Sequence, residues 1–234
     1  EVTVGDLSFS PAGEINLHNI TVHTPETFTA GKLLTIKKLS LKVRYREILK
    51  KKLFFEKITI YEPELTVVQN GQGKLNISDK LRELFARKPT LQYRIDEFDI
   101  KSGIVDFNED KKFRSDDVNV SINNLSSERG TKTLIRGHTA YAGSRIAIDG
   151  WVYLKDEPKR LNISVSSQKL SLSVLQGLLN KYGIEISKTK ATLYLNAEGD
   201  TEKGFHFNSE IGMRDAKFAF LKKDVKEILL RIHA

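Results

Sequence analysis

The feature that most constrains this chain is a two-residue alternation of apolar and polar side chains running through most of its 234 residues. Apolar residues fall at every second position in Leu39, Leu41 and Val43, in Ile58 and Ile60, in Leu65 and Val67, and in Phe98 and Ile100. The pattern continues in Val105 and Phe107, in Val118, Val120 and Ile122, and in Ile146 and Ile148. It recurs in Leu161, Ile163 and Val165, in Leu193 and Leu195, in Phe205 and Phe207, and in Phe218 and Phe220. Successive side chains of an extended backbone point to opposite faces, so this spacing spells strands with one apolar and one polar face. Turn-forming groups separate them: Pro11-Ala12-Gly13, Asn70 to Gly73, Ala142-Gly143-Ser144, Asp156-Glu157-Pro158 and Glu198 to Gly204. Such punctuation favours hairpins and an antiparallel sheet.

Helix signals are few. Ser78 and Asp79 suit a cap for a helix over Lys80–Arg87, and Ser171 or Ser173 suits one over Val174–Lys181. Tyr45–Lys52 fits a basic helical turn, and Asp224–Ile232 fits either a helix or the start of a strand. The expected fold is therefore mainly β, with two to four short helices.

One spacing repeats. Ile58, Ile60, Pro63, Leu65 and Val67 are matched by Phe98, Ile100, Gly103, Val105 and Phe107, 40 residues later, and each copy reads as strand, kink, strand. Ile184, Ile186, Ala191 and Leu193 follow the same template with Thr189 at the break. Units that each add strands to a growing sheet would give such a pattern. They divide one elongated domain, residues 1–234, loosely near 1–97, 98–183 and 184–234.

A one-sided sheet must cover its apolar face. It can pack on a second sheet as a sandwich, close as a barrel, or curl into a trough that leaves the face for a ligand. Two to four short helices are too few to cover it.

The remaining residues offer little chemistry. There is no cysteine, which excludes disulfides, thiolate metal sites and cysteine nucleophiles. His18, His23, His138, His206 and His233 lack metal-ligand spacing, though a hairpin would let His18 and His23 meet. The acidic pairs Glu109-Asp110 and Asp116-Asp117 read as exposed loops, and Trp151 reads as core or groove wall. Asn-x-Ser/Thr at Asn19, Asn76, Asn119, Asn124 and Asn162 reads as chance in a chain of this composition. No catalytic centre, metal or cofactor is expected.

The net charge of +8 is concentrated in residues 32–52, which hold nine basic residues and one acidic one, so the other 213 residues are neutral. Lys37, Lys38, Lys42, Arg44, Arg46, Lys50, Lys51 and Lys52 in this stretch are candidates for contact with anionic head groups at a membrane surface. The competing reading has the lysines solvated, or guarding an edge strand. Tyr45 is the one interleaved aromatic, so no nucleic-acid partner is expected.

Residues 39–81 resemble the N-terminal region of the AsmA-like family, bacterial envelope proteins related to TamB and to the repeating β-groove lipid-transfer proteins. The matching residues are the strand Leu39-Ser40-Leu41-Lys42-Val43, a linker around Ile48-Leu49, and Ile58-Thr59-Ile60-Tyr61-Glu62-Pro63-Glu64-Leu65. A Gly73-Lys74-Leu75-Asn76 turn follows, with Ile77 where the family often has an aromatic. The resemblance implies a long, curved, taco-like β-groove in the periplasm, tethered to the inner membrane by an N-terminal anchor that this sequence lacks. The chain is then read as a fragment of a longer protein. The implied partners are phospholipid or another acyl-chain lipid, the inner-membrane surface and other envelope proteins. The implied role is phospholipid transport between the two membranes, with the alternating apolar residues named above lining the groove. The alternative is a scaffolding β module of the envelope that binds protein and transfers no lipid.

Overall fold

The structure is a computed structural model. It describes residues 1–11, 13–24, 28, 31–48, 52–70, 73–78, 92–107, 114–171, 184–185, 190–218 and 223–233. The alternating segments form β1 (Val2–Thr3), β2 (Asp6–Phe9), β3 (Glu14–His23), β4 (Lys32–Val43), β5 (Lys52–Val67), β6 (Gln92–Phe107) and β7 (Arg114–Ser126). They continue as β8 (Thr133–Tyr141), β9 (Ser144–Tyr153), β10 (Arg160–Ser171), β11 (Ile184–Glu185), β12 (Lys190–Asp200), β13 (Gly204–Phe218) and β14 (Lys223–His233). All fourteen belong to one sheet. β1 and β2 lie end to end along β3, and β11 and β12 lie end to end along β13, so the sheet is twelve strands across.

Strand neighbours follow chain order, from β1 and β2 at one edge to β14 at the other. Among the described residues no pairing joins the two edges, so the sheet is open; it is neither a closed barrel nor two separate sheets. All its pairings are antiparallel except β5 with β6. That parallel step explains the 40-residue repeat, because every paired residue of β5 faces the residue 40 positions later, from Lys52 with Gln92 to Val67 with Phe107. The first two copies of the repeat are thus neighbours in the sheet. The third, across β11 and β12, pairs with β10 and β13 instead.

The kink within each of the first two copies is a single left-handed residue inside an unbroken strand, while the break of the third, at Thr189, lies outside the described residues. Glu62 has φ +47° and Ser102 has φ +54°, and they are joined by Asn19 on β3 (φ +52°) and Asp117 on β7 (φ +52°). The register brings these positions into one line across β3 to β7, with Lys37 completing it on β4. At this crease the alternation skips one residue, from Ile60 to Pro63 and from Ile100 to Gly103, yet the apolar face is retained. A Cβ added at Gly103 would stand 3.2 Å from Pro63 Cγ and 3.3 Å from Val118 Cβ, which places all three on the face of Val120.

Beyond β5, the Gly73-x-x-Asn76 turn is held by a buried side chain. Asn76 is 2% exposed; its amide oxygen accepts from Val68 N–H and its amide nitrogen donates to the Thr66 carbonyl. Burial of an amide is favourable only when its hydrogen bonds are made, so this spacing has a structural cause.

Helix is nearly absent among the described residues: α1 (Tyr45–Ile48) is a single turn. The helices expected at Lys80–Arg87 and Val174–Lys181 lie outside the described residues. Asp224–Ile232 is strand, within β14, because β13 supplies a backbone ladder from Asn208 to Phe218. The lysines of β4 do not guard an edge, since β4 sits between β3 and β5.

Close approach explains Gly150. An added Cβ there would lie 2.3 Å from the Asn162 carbonyl oxygen and 2.8 Å from Ile163 Cα on the neighbouring strand. Gly150→Ala is expected to lower stability by about 1–3 kcal/mol in urea unfolding, the usual cost of overpacking. Ser102→Gly, at a left-handed position, is expected to raise stability by several tenths to about 1 kcal/mol. Unchanged unfolding midpoints in both variants would contradict the crowding and the crease.

Candidate functional site

Cross-strand partners share a face, so the register traces rows of side chains across the whole sheet. One row runs Phe9, Ile15, Leu41, Ile58, Phe98, Ile122, Ile135, Gly150, Ile163, Ala197 and Phe207, with no polar side chain in it. The adjacent row runs Leu7, Leu17, Leu39, Ile60, Ile100, Val120, Gly137, Ile148, Val165, Leu195 and Ser209, and its register reaches Ile232. Twelve strands at about 4.8 Å spacing make these rows about 50 Å long.

No residue of either row with a described side chain is buried. Phe207 is 55% exposed, Leu195 39% and Ile148 37%. The buried apolar residues among those described are Ile20, Leu33, Ile36, Val67, Val68 and Ala191, too few to form a core under a second layer. Among the described residues, then, no second layer buries the apolar rows, whose side chains are half-buried or exposed.

The remaining expected groove residues fall beside these rows. Leu65 and Val105 are partners, as are Val67 and Phe107, and Val118 faces Gly103. Ile146 pairs with Ser167, Ser167 with Leu193, and Leu161 with Gly199, which pairs with Phe205. Val43 pairs with Phe55. Phe218 belongs to β13 by its backbone, and Phe220 lies outside the described residues. The sequence reading missed Ile15, Leu17, Ile20, Val22, Leu34 and Ile36. Their signal is the same skipped alternation, broken at Asn19 and Lys37.

The opposite face is a lattice of ion pairs. Lys57 Nζ lies 2.6 Å from Glu97 and 2.9 Å from Asp99, and both carboxylates hold its ammonium above its ordinary pKa. Burial pushes the Asp99 carboxyl up, but hydrogen bonds from Lys57 and Ser121 pull it below its ordinary value. Glu14 accepts a hydrogen bond from Ser40 on this face.

The basic stretch belongs to this lattice. Lys37 lies 2.8 Å from Glu62 and Lys42 lies 2.7 Å from Glu56, whose carboxyl Lys42 holds below its ordinary pKa. Arg44 reaches Asp96 at 3.0 Å, and Lys38 stacks over the Tyr61 ring. Arg46 lies on α1 and Lys52 opens β5; Lys50 and Lys51 lie outside the described residues. Neighbouring strands thus neutralise much of a charge that looked free in the sequence.

Two other readings change. Trp151 pairs with Leu134 and Asn162 on the polar face, so it does not wall the apolar rows; Lys132 Nζ sits 4.7 Å from its ring centre and Tyr153 meets it edge-on. His18 and His23 lie on one strand, five residues apart, and do not meet. Glu109 and Asp110 lie outside the described residues, while Asp116 accepts from Arg114. Among the described residues no three His, Asp or Glu side chains converge on a metal position.

No protein-family model matches the chain, and no curated protein matches it as a relative.

The ion-pair lattice makes stability depend on acid. Asp99 and Glu56 have folded pKa values below their unfolded ones, so their stabilisation is present above about pH 4 and lost as pH falls through the folded values. The urea midpoint is expected to drop below about pH 4. Asp99→Asn is expected to be less stable than the parent at pH 7 and to converge on it toward pH 2. A constant gap across that range would contradict the Lys57–Asp99 pair.

Proposed function

We propose that this chain is a lipid-binding β-groove module of a cell-envelope protein, shielding acyl chains and supporting phospholipid transport between inner and outer membranes. The observation that carries this reading is the two apolar rows, about 50 Å long, the first unbroken and the second interrupted at Ser209, on a face that no second layer of the described residues covers. Soluble proteins rarely expose contiguous apolar surface of that extent without a partner for it.

The energetics fit the partner. A two-chain lipid carries roughly 30 methylenes at about 0.8 kcal/mol each, so leaving a bilayer costs about 20 kcal/mol or more unless an apolar surface replaces it. A fluid acyl chain spans about half of a hydrocarbon core roughly 30 Å thick. The rows exceed that length about threefold, which suits a track more than a single site.

In this reading the sheet curves toward its apolar side, and two close approaches are consistent with that. At Gly150 and at Gly137, both in the apolar rows, an added Cβ would meet the neighbouring strand's backbone, at 2.3 Å and 2.8 Å. Such crowding arises where a neighbouring strand rises toward the face in question, and glycines at such places let sheets bend. In this reading the protein works in the periplasm, held at the inner membrane by a segment outside this sequence. The polar face keeps the module soluble, and binding needs apolar continuity instead of a catalytic residue.

Native mass spectrometry of the purified chain tests the proposal. Acyl-chain lipid is expected to co-purify. Ile148→Glu, at a position 37% exposed, is expected to fold normally and to reduce lipid occupancy by at least about tenfold, because the charge cannot be buried against acyl chains. A lipid-free parent, or equal occupancy in the variant, would favour a scaffold that binds protein.

A further inference from the structure

A hollow opens among the polar side chains of the sheet, and Ile100, Val120, Gly137 and Ile148, which alternate with them and belong to the second apolar row, also line it. It lies across β6 to β9 and encloses about 460 Å³. Its shape follows from side-chain length. Ser121 and Ala147 are short and stand among Lys101, Arg136 and Arg145, so the long residues form walls around a low floor. The register places Asp99, Ser121, Arg136 and Asp149 in one row, with His138 and Ala147 in the next.

The charges around the hollow do not balance. Its two carboxylates are already engaged, Asp99 by Lys57 at 2.9 Å and Asp149 by Arg136 at 3.0 Å. His138 Nε2 lies 3.5 Å from Asp117. Lys101 and Arg145 make no ion pair within 4.0 Å among the described residues; Lys101 sits over the Tyr61 ring, 5.6 Å away, and its charge acts on Asp99 from beyond contact distance. They line the hollow from opposite sides, Lys101 from β6 and Arg145 from β9. Two cations with unused donors therefore face one concavity.

We propose that this hollow binds the phosphate group of an anionic ligand, with Arg145 and Lys101 as its principal contacts. A guanidinium offers a planar fork of donors suited to phosphate oxygens, and an ammonium adds a compact charge from a second direction. Ser121 at the floor keeps its hydroxyl hydrogen on Asp99 and leaves room for the ligand without donating to it. The phosphate can come from a soluble phosphorylated compound or from a lipid head group presented to this face. The inference does not depend on lipid binding: its contacts are polar side chains that alternate along the strands with the second apolar row.

Isothermal titration calorimetry with inorganic phosphate is the test, on the parent, Arg145→Ala, Lys101→Ala and Arg145→Lys, with Arg129→Ala as a control outside the hollow. Each alanine variant is expected to weaken phosphate binding by about tenfold, Arg145→Lys by less, and the control not at all. Circular dichroism confirms that each variant keeps its strand content. Absence of phosphate binding by the parent overturns the proposal. So does equal binding in Arg145→Ala, or an equal loss in Arg129→Ala, which would mark general charge attraction. Flotation with phosphatidylglycerol vesicles, against phosphatidylcholine alone, separates the two sources. Arg145-dependent flotation assigns a lipid head group, and phosphate binding without flotation assigns a soluble ligand.

Discussion

The structure depends on the backbone ladder. A conventional domain is held by a core between two layers, but this sheet is one layer with six buried apolar side chains among those described. Its strands are aligned by hydrogen bonds and by cross-strand side-chain pairs worth a few tenths to about 1 kcal/mol each. A slip of one residue would turn an apolar row onto the charged face, so the two chemically distinct faces protect the register. The ion pairs of the polar face have the same effect. Lys57 with Glu97 and Asp99, and Arg136 with Asp149, join adjacent strands in one alignment only. Exposed pairs of this kind add little stability singly, and their larger consequence is specificity of pairing.

Much of this was legible in the sequence. Alternation at Val118, Val120 and Ile122 or at Leu161, Ile163 and Val165 identifies a strand and its face without further help, because period two has no other common cause. The repeat at Ile58 and Phe98 was also visible, but not its meaning. Nothing in either copy says that the two would pair in parallel, since the pairing depends on a connection, residues 68–91, that carries no strand signal of its own. Ile15, Leu17, Ile20 and Val22 escaped because Asn19 breaks their period, and a short alternation that changes phase looks like none. At Asp224–Ile232 the spacing of Val225, Ile228, Leu229 and Ile232 fits a helix as well as a strand; only β13 decides.

Charge was the least legible property. Nine basic residues in twenty-one suggest a free cationic surface, yet Glu56, Glu62 and Asp96, all outside that stretch, pair with Lys42, Lys37 and Arg44. One-dimensional charge counting fails in a sheet because each side chain's nearest charges are on other strands. The same effect works in reverse at Lys101 and Arg145, unremarkable in the sequence, which the register brings to one hollow whose two carboxylates are engaged by Lys57 and Arg136.

The two faces place different demands on mutation. On the apolar face the requirement is continuity, so one interrupted position in a row affects every chain that would lie across it, while the fold tolerates the change because the position is open. On the polar face the requirement is pairing, so a lost carboxylate leaves a specific cation without its partner and loosens a specific pair of strands. Surface and scaffold are thus carried by alternate residues of the same strands. That division lets a sheet with few buried apolar side chains among the described residues keep a defined register while presenting a strip of apolar side chains from one edge toward the other.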